Sequence, residues 1–286
     1  MTSRTILLTS ATVALVMALG AVDAHATTIA SGFNANTVDT CDDCATGATP
    51  LGFSANFFGT TYTQTYVSNN GYVTFNSGQG TYTPTGLTAS YTGQPIIASF
   101  YADVDTNDGG TVTYGTGTYA GDAAFGVTWN DVAYFAAGDK HNTFQEILVD
   151  RSDTGAGNFD IYFNYAQIQW ETGSASGGSD GLGGASAAVG YANGSGGPGT
   201  YFQLPGSLVP GSFLDGGPNS LVTGTNDGTP GQFMFEVRNG AVTVPGVPAG
   251  VPEPGSWAMM ILGLLGLGAV LRTRRRSAQR LDALAG

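Results

Sequence analysis

The chain has 286 residues, 45 of them Gly and 12 Pro, with 42 % hydrophobic and 11 % aromatic residues. That apolar content argues against a disordered chain, and Gly without a three-residue period argues against collagen; so few charges amid so much Gly, Thr, Ser and Tyr do not suit a helical bundle. Acidic residues outnumber basic ones 21 to 9, and between Thr27 and Ser256 the count is nineteen against three, a net −16 that repels phosphate backbones and speaks against nucleic acid as a partner.

Residues 1–26 read as a secretory signal peptide. Arg4 supplies the positive start and a largely apolar run from Ile6 to Val22 follows. Ala24-His25-Ala26 gives the small-x-small pattern cut by signal peptidase, with Ala24 and Ala26 as its cleavage-site residues. Residues 27–50 carry the two cysteines. Cys41-x-x-Cys44 has the spacing of a redox motif, half a zinc site or a local disulfide. His141 is the only His beyond the signal and no second Cys pair exists, so a four-ligand zinc site lacks donors. Asp42 and Asp43, between the thiols, raise their pKa and oppose a reactive thiolate. In an exported chain the expectation is a small Cys41–Cys44 disulfide.

From 51 to 240 the signals are strands and turns. Tyr66-Val67-Ser68 and Tyr72-Val73-Thr74-Phe75 flank Asn69-Asn70-Gly71, a hairpin pattern that points to a type I′ turn. Thr111–Tyr114 and Gln145–Val149 are further strand candidates. Period-two alternation marks Phe125/Val127/Trp129, Phe159/Ile161/Phe163/Tyr165 and Phe233/Phe235/Val237 as strands with one apolar face. Thr172–Gly184, Tyr191–Pro198 and Leu214–Gly231 are Gly-rich and read as loops and turns. The expected fold is an all-β antiparallel sandwich.

Several phrases in this body carry a resemblance together. They are Val67 to Phe75, Ala98 to Thr106, Val127 to Val132, Asn142 to Gln145, Phe159 to Gly173, Ala187 to Tyr191 and the closing stretch Gly231 to Val237. In order and spacing they resemble the nidogen-like extracellular domain over roughly residues 51–240. One departure is Ser99-Phe100-Tyr101, where that family often has Pro-Phe-Trp; the aromatics are kept. The resemblance implies a role in cell–matrix adhesion, as in animal proteins of the family.

Residues 241–254 are a Pro/Gly-rich spacer. Trp257–Leu271 is apolar, and 15 residues at about 1.5 Å rise span roughly 22 Å, short of the ~30 Å hydrocarbon core. Snorkelling Arg272, Arg274, Arg275 and Arg276 at one end and Trp257 at the other extend its reach, and the Arg cluster stays cytoplasmic. The order Pro252-Glu253-Pro254, short apolar helix (255–276 with its Arg cluster), then tail (277–286) resembles the PEP-CTERM sorting signal of Gram-negative bacteria. That resemblance implies that Pro252, Glu253 and Pro254, with Arg274, Arg275 and Arg276, serve sorting and processing. The partner would be an exosortase, with the chain transiently anchored in the inner membrane and then passed to the cell surface or an exopolysaccharide matrix.

The densest oxygen cluster is Asp103-x-Asp105-x-Asn107-Asp108-Gly109. Alternate carboxylates in a tight turn suit a hard cation such as Ca²⁺, but the sixth position is Asp108 and the twelfth Tyr114, so it is not an EF-hand. The alternative is a strand end whose Asp side chains cap turn N–H groups. Asn226-Asp227-Gly228 is a weaker version. Gly177-x-Ser179-x-Gly181 matches a nucleophile-elbow string without its strand and helix. His141, in Gly-Asp-Lys-His-Asn, reads as a surface His in a turn, and Asn193-Gly194-Ser195 fits a glycosylation triplet that is uninformative under the bacterial origin the sorting-signal resemblance implies. The leading expectation is therefore an exported surface or matrix binding protein without catalysis or a required cofactor, meeting exopolysaccharide or a surface protein through an exposed aromatic patch. The alternatives are a secreted glycan hydrolase using carboxylates such as Asp103, Asp105 and Glu171, and a Ca²⁺-dependent adhesin.

Overall fold

The computed structural model describes residues 29–244. The signal peptide with Ala24 and Ala26, the Pro252-Glu253-Pro254 motif, the apolar segment and Arg274, Arg275 and Arg276 lie outside the described residues. Among the described residues no helix is long and apolar enough to cross a membrane.

The fold is an all-β sandwich of two sheets whose named strands pair antiparallel. Sheet A contains β1 (Asn36–Thr37), β6 (Val104–Asp105), β7 (Thr111–Tyr119), β8 (Asp122–Tyr134), β9 (Ala137–Asp150), β10 (Phe159–Ile168), β13 (Gln232–Arg238) and β14 (Ala241–Thr243). Its order is β1-β7-β8-β9-β10-β13-β14, with β6 also on β8. Sheet B contains β2 (Thr49–Phe57), β3 (Thr60–Ser68), β4 (Tyr72–Thr74), β5 (Ile96–Tyr101), β11 (Ala188–Ala192) and β12 (Tyr201–Gln203) in the order β12-β11-β5-β4-β3-β2.

Alternation decides the core. Val127 and Trp129 of β8, Phe144 and Leu148 of β9, Ile161 and Phe163 of β10 and Phe235 of β13 face Val67, Val73, Ile97 and Phe100 of sheet B in one buried cluster. Aromatic pairs bridge the sheets: Phe100 meets Phe144 at 5.2 Å and Tyr191 meets Phe235 at 5.6 Å between ring centroids. Each such buried ring contributes about 1.5–3 kcal/mol relative to an exposed one. β5 is buried along its whole length because both faces are covered. Its Ile96 and Ala98 pack outward with Tyr72, Leu87, Tyr91 and Tyr101 into a second cluster. Phe33, from the chain ahead of β1, covers Ala124, Ile147 and Val149 on the outer face of sheet A.

Two features differ from the sequence expectation. Ser68 pairs with Tyr72, so three residues close the β3–β4 hairpin, and of these Gly71 alone has positive φ (81°). The two-residue type I′ turn does not form, because Asn69 and Asn70 are fully buried and spend their side chains on distant backbone: Asn69 Nδ2 donates to Val104 O at 2.8 Å, and Val104 N–H donates to Asn70 Oδ1 at 2.9 Å. Gly71 also lies against β5, where a Cβ would sit 1.8 Å from the Phe100 carbonyl oxygen. Second, residues 241–243, read as the start of a spacer, form β14 by hairpin pairing with β13, Val237 opposite Val242. Residues 29–50 are likewise woven into the sandwich: Asn36 pairs with Tyr114, and Val38 N–H donates to Val112 O at 2.9 Å.

Candidate functional site

Cys41 and Cys44 are joined in a disulfide, closing a tight loop that holds Asp42 and Asp43. The loop is clamped at both ends. Thr106 donates to the Cys41 carbonyl through its N–H (3.0 Å) and its hydroxyl (2.8 Å), and Asn69 N–H donates to the Cys44 carbonyl at 3.0 Å. A bridge between Asp42 and Asp105 aligns the loop beside β6. The loop thereby lands over Asp103, which leaves β5 and is 1 % exposed. One carboxylate oxygen from each of Asp42, Asp43 and Asp103 lies within 4.8 Å of the other two. Asn70 Nδ2 donates to Asp43 Oδ1 at 2.9 Å, while Asp42 Oδ1 and Asp103 Oδ2 are buried without a hydrogen-bond partner. Gly173 abuts the cluster; a Cβ there would sit 2.3 Å from Asp103 Oδ2.

Burial, then repulsion from Asp43 and Asp42, pushes the Asp103 carboxyl up to about 7, with the Ser176 amide acting the other way. Burial and the charges of Asp43, Asp105 and Asp108 push Asp42 up to about 6. Sequence spacing grouped Asp103 with Asp105, Asn107 and Asp108. Asp105 and Asn107 engage each other: Asp105 Oδ1 accepts the Asn107 N–H at 2.8 Å and its Nδ2 at 2.9 Å in a capped turn, and Asn107 and Asp108 are exposed. The partners of Asp103 come from the disulfide loop some sixty residues earlier in the chain, where local sequence marks Asp42 and Asp43 only as neighbours of the thiols.

The remaining candidates resolve into structural roles. Glu171 is fully buried and takes three donors: Ser186 Oγ–H at 2.6 Å, Gly211 N–H at 2.6 Å and Phe213 N–H at 2.5 Å. It ties the 205–231 loop to the end of β10 and is closed to solvent, so it does not act as a hydrolase carboxylate. Asp103 is equally closed to solvent. Ser179 pairs with Leu182 in an isolated bridge, with only a 3₁₀ turn (Ser174–Ser176) before it. His141 lies within β9, half-buried, and not in the expected surface turn; its ring is pinned by Asp131 O at 2.7 Å and Gly138 O at 3.2 Å. Asn193 Oδ1 accepts the Ser195 N–H at 2.9 Å, and Asp227 Oδ1 accepts the Thr229 N–H at 2.8 Å, both as turn caps. The three body cations are spoken for: Arg151 and Arg238 flank buried Asp160 at 3.0 and 2.6 Å, and Lys140 pairs with Asp180.

Among the described residues the exposed large hydrophobic side chains are Leu208 and Val209, so the expected aromatic patch does not form on this surface. Apolar surface is instead recessed in a cleft of about 500 Å³ lined by Phe202, Leu204, Pro205, Pro218, Phe233 and Val244.

Comparison with known proteins gives a family match over most of the described residues. The profile of the nidogen-like domain matches residues 63–239. Human alpha-tectorin is 32 % identical over 221 residues, and mouse alpha-tectorin 33 % over the same length; each alignment covers 68 % of this chain and 10 % of the relative. Chicken alpha-tectorin is 31 % identical over an equal span. The chain thus corresponds to about a tenth of the length of the curated relatives it matches. No solved structure gives a match.

Proposed function

The chain belongs to the nidogen-like domain family, and from that premise we propose that it is an exported, non-catalytic binding module acting in adhesion at the cell surface or in an extracellular matrix. The observation that carries this reading is the family match across 63–239, laid on a sandwich that is continuous from the Phe33 segment to β14. Against the hydrolase alternative, Glu171 is consumed by three internal donors, Asp105 caps the Asn107 turn and Asp103 is closed to solvent, which favours the binding reading. A recessed apolar cleft and an anionic surface with its cations paired favour a neutral or weakly polar partner, a surface protein or an exopolysaccharide, over a polyanion.

The route proposed for it rests on the two ends of the sequence. Signal peptidase removes residues 1–26 after Ala26, the 255–276 segment holds the chain in the inner membrane, and an exosortase acts at Pro252-Glu253-Pro254 to release it outward. The test is fractionation of tagged protein into cytosolic, membrane, surface and exopolysaccharide pools, with and without deletion of 252–254. Surface or matrix recovery of the intact-motif protein, with the deletion retained in the membrane, supports the reading. Recovery of both forms in the cytosol overturns it.

A further inference from the structure

The geometry points to a Ca²⁺ site formed by Asp42, Asp43 and Asp103 beneath the Cys41–Cys44 loop. Buried Asp103 and partly exposed Asp42 and Asp43 bring carboxylate oxygens within 4.8 Å of one another. Lys140, Arg151 and Arg238 are engaged elsewhere, with Asp180 and Asp160. Proteins bury such groups only when they are paired, protonated or coordinated to a metal. Asp103 is the telling member. It is 1 % exposed, its Oδ2 has no donor, and it reaches toward the other two carboxylates. Buried Asp42 Oδ1 is equally unpartnered. Two further orphan oxygens, Asn69 Oδ1 and Thr172 Oγ1, belong to the segments that wall the cluster.

The dimensions suit one hard ion. Ca²⁺ takes oxygens at about 2.3–2.6 Å, so two ligands across its sphere stand up to roughly 5 Å apart. The donor set is all oxygen, which favours Ca²⁺ over zinc or copper. Mg²⁺ needs a tighter octahedron and gives up its water reluctantly, so it fits less well. The protein supplies three carboxylates and water fills the rest. That places affinity near the range of about 10⁻⁴–10⁻³ M typical of extracellular calcium modules. The disulfide and the Thr106 and Asn69 clamps hold two of the three ligands in place before the ion arrives. The site is independent of the adhesion reading, and loss of either leaves the other standing.

The test is thermal unfolding of the full chain, kept soluble in mild detergent, in EDTA and in 10 mM CaCl₂, MgCl₂ or NaCl of matched ionic strength. At that affinity Ca²⁺ raises Tm by about 3–10 °C, with Mg²⁺ giving less and NaCl little. Asp103→Asn removes a carboxyl that repels its neighbours, so in EDTA the variant is at least as stable as the parent, yet its Ca²⁺ response falls away. Asp227→Asn, in a turn whose charge does not act on Asp42, Asp43 or Asp103, keeps the full response. Calorimetric titration of the parent with CaCl₂ gives a direct reading of one site even if a variant fails to fold. No heat and no Tm shift in the parent at 10 mM Ca²⁺ would overturn the assignment, as would equal shifts with all three salts or an undiminished shift in folded Asp103→Asn.

Discussion

Glu171→Ala is expected to be among the most damaging single substitutions in the molecule, for a reason unrelated to catalysis. The carboxylate accepts from Ser186 Oγ–H, Gly211 N–H and Phe213 N–H at 2.5–2.6 Å, and the Ser186 and Phe213 bonds are wholly buried. Truncation strands three donors at about 1–3 kcal/mol each, with the cost smallest at half-buried Gly211, where water can enter. It also releases Phe213 from its place in the core. The expected loss is about 3–5 kcal/mol, or a Tm drop of roughly 6–20 °C for a domain of this size. Ser186→Ala removes one charge-assisted bond and is expected to cost about 1.5–3 kcal/mol. Equilibrium urea unfolding of the parent and both variants reads this directly. A Glu171→Ala loss below 1 kcal/mol, or one smaller than that of Ser186→Ala, refutes the clamp and reopens a functional role for this carboxylate.

Three further outcomes follow from the same physics. Burial holds the Glu146 carboxyl far above its usual range, with the Ser99 amide and hydroxyl acting the other way. A raised folded pKa makes the native state the better proton binder, so this group's contribution to stability is complete below the ordinary carboxylate range and is lost as pH rises toward the elevated value. Glu146→Met should therefore stabilise more at pH 8 than at pH 4 in paired urea titrations, and a pH-independent effect would contradict this. Reducing the Cys41–Cys44 bond frees a four-residue loop worth roughly 2 kcal/mol by chain entropy, read as a lower urea midpoint with dithiothreitol; an unchanged midpoint counts against it. Gly71→Ala forces a Cβ into the Phe100 carbonyl at φ 81° and should cost about 3 kcal/mol or more, whereas Gly228→Ala, at φ 95° with open space around it, carries only the φ strain of about 1 kcal/mol. Equal losses at the two positions would show that the hairpin tip is free to shift.

The sandwich was legible because its central strands obey period two. Phe125/Val127/Trp129 and Phe159/Ile161/Phe163 fall on β8 and β10 with those side chains in the core. What alternation missed has physical causes. β14 is a three-residue edge strand made by pairing with β13, and its local Pro/Gly-rich surroundings signal a linker. Phe33 covers the outer face of sheet A as a lone aromatic in an irregular segment, with no pattern to announce it. The Asn-Asn-Gly turn was visible as a turn, but its geometry is set by Asn69 and Asn70 bonding to Val104 from a distant strand. The acidic cluster was half legible. Asp103 stood out, yet its partners Asp42 and Asp43 arrive through a disulfide loop and a bridge to Asp105, contacts that local spacing does not encode. Glu171 was picked out by chemistry, and only the return of residues 211–213 shows that its work is structural.

Intact mass spectrometry of protein stripped from the cell surface tests export and processing together. A chain that starts at Thr27 and ends near Pro252-Glu253-Pro254, without Arg274, Arg275 and Arg276, is the predicted species. A mass equal to Met1–Gly286, found in the cytosol and nowhere outside, would contradict display beyond the membrane.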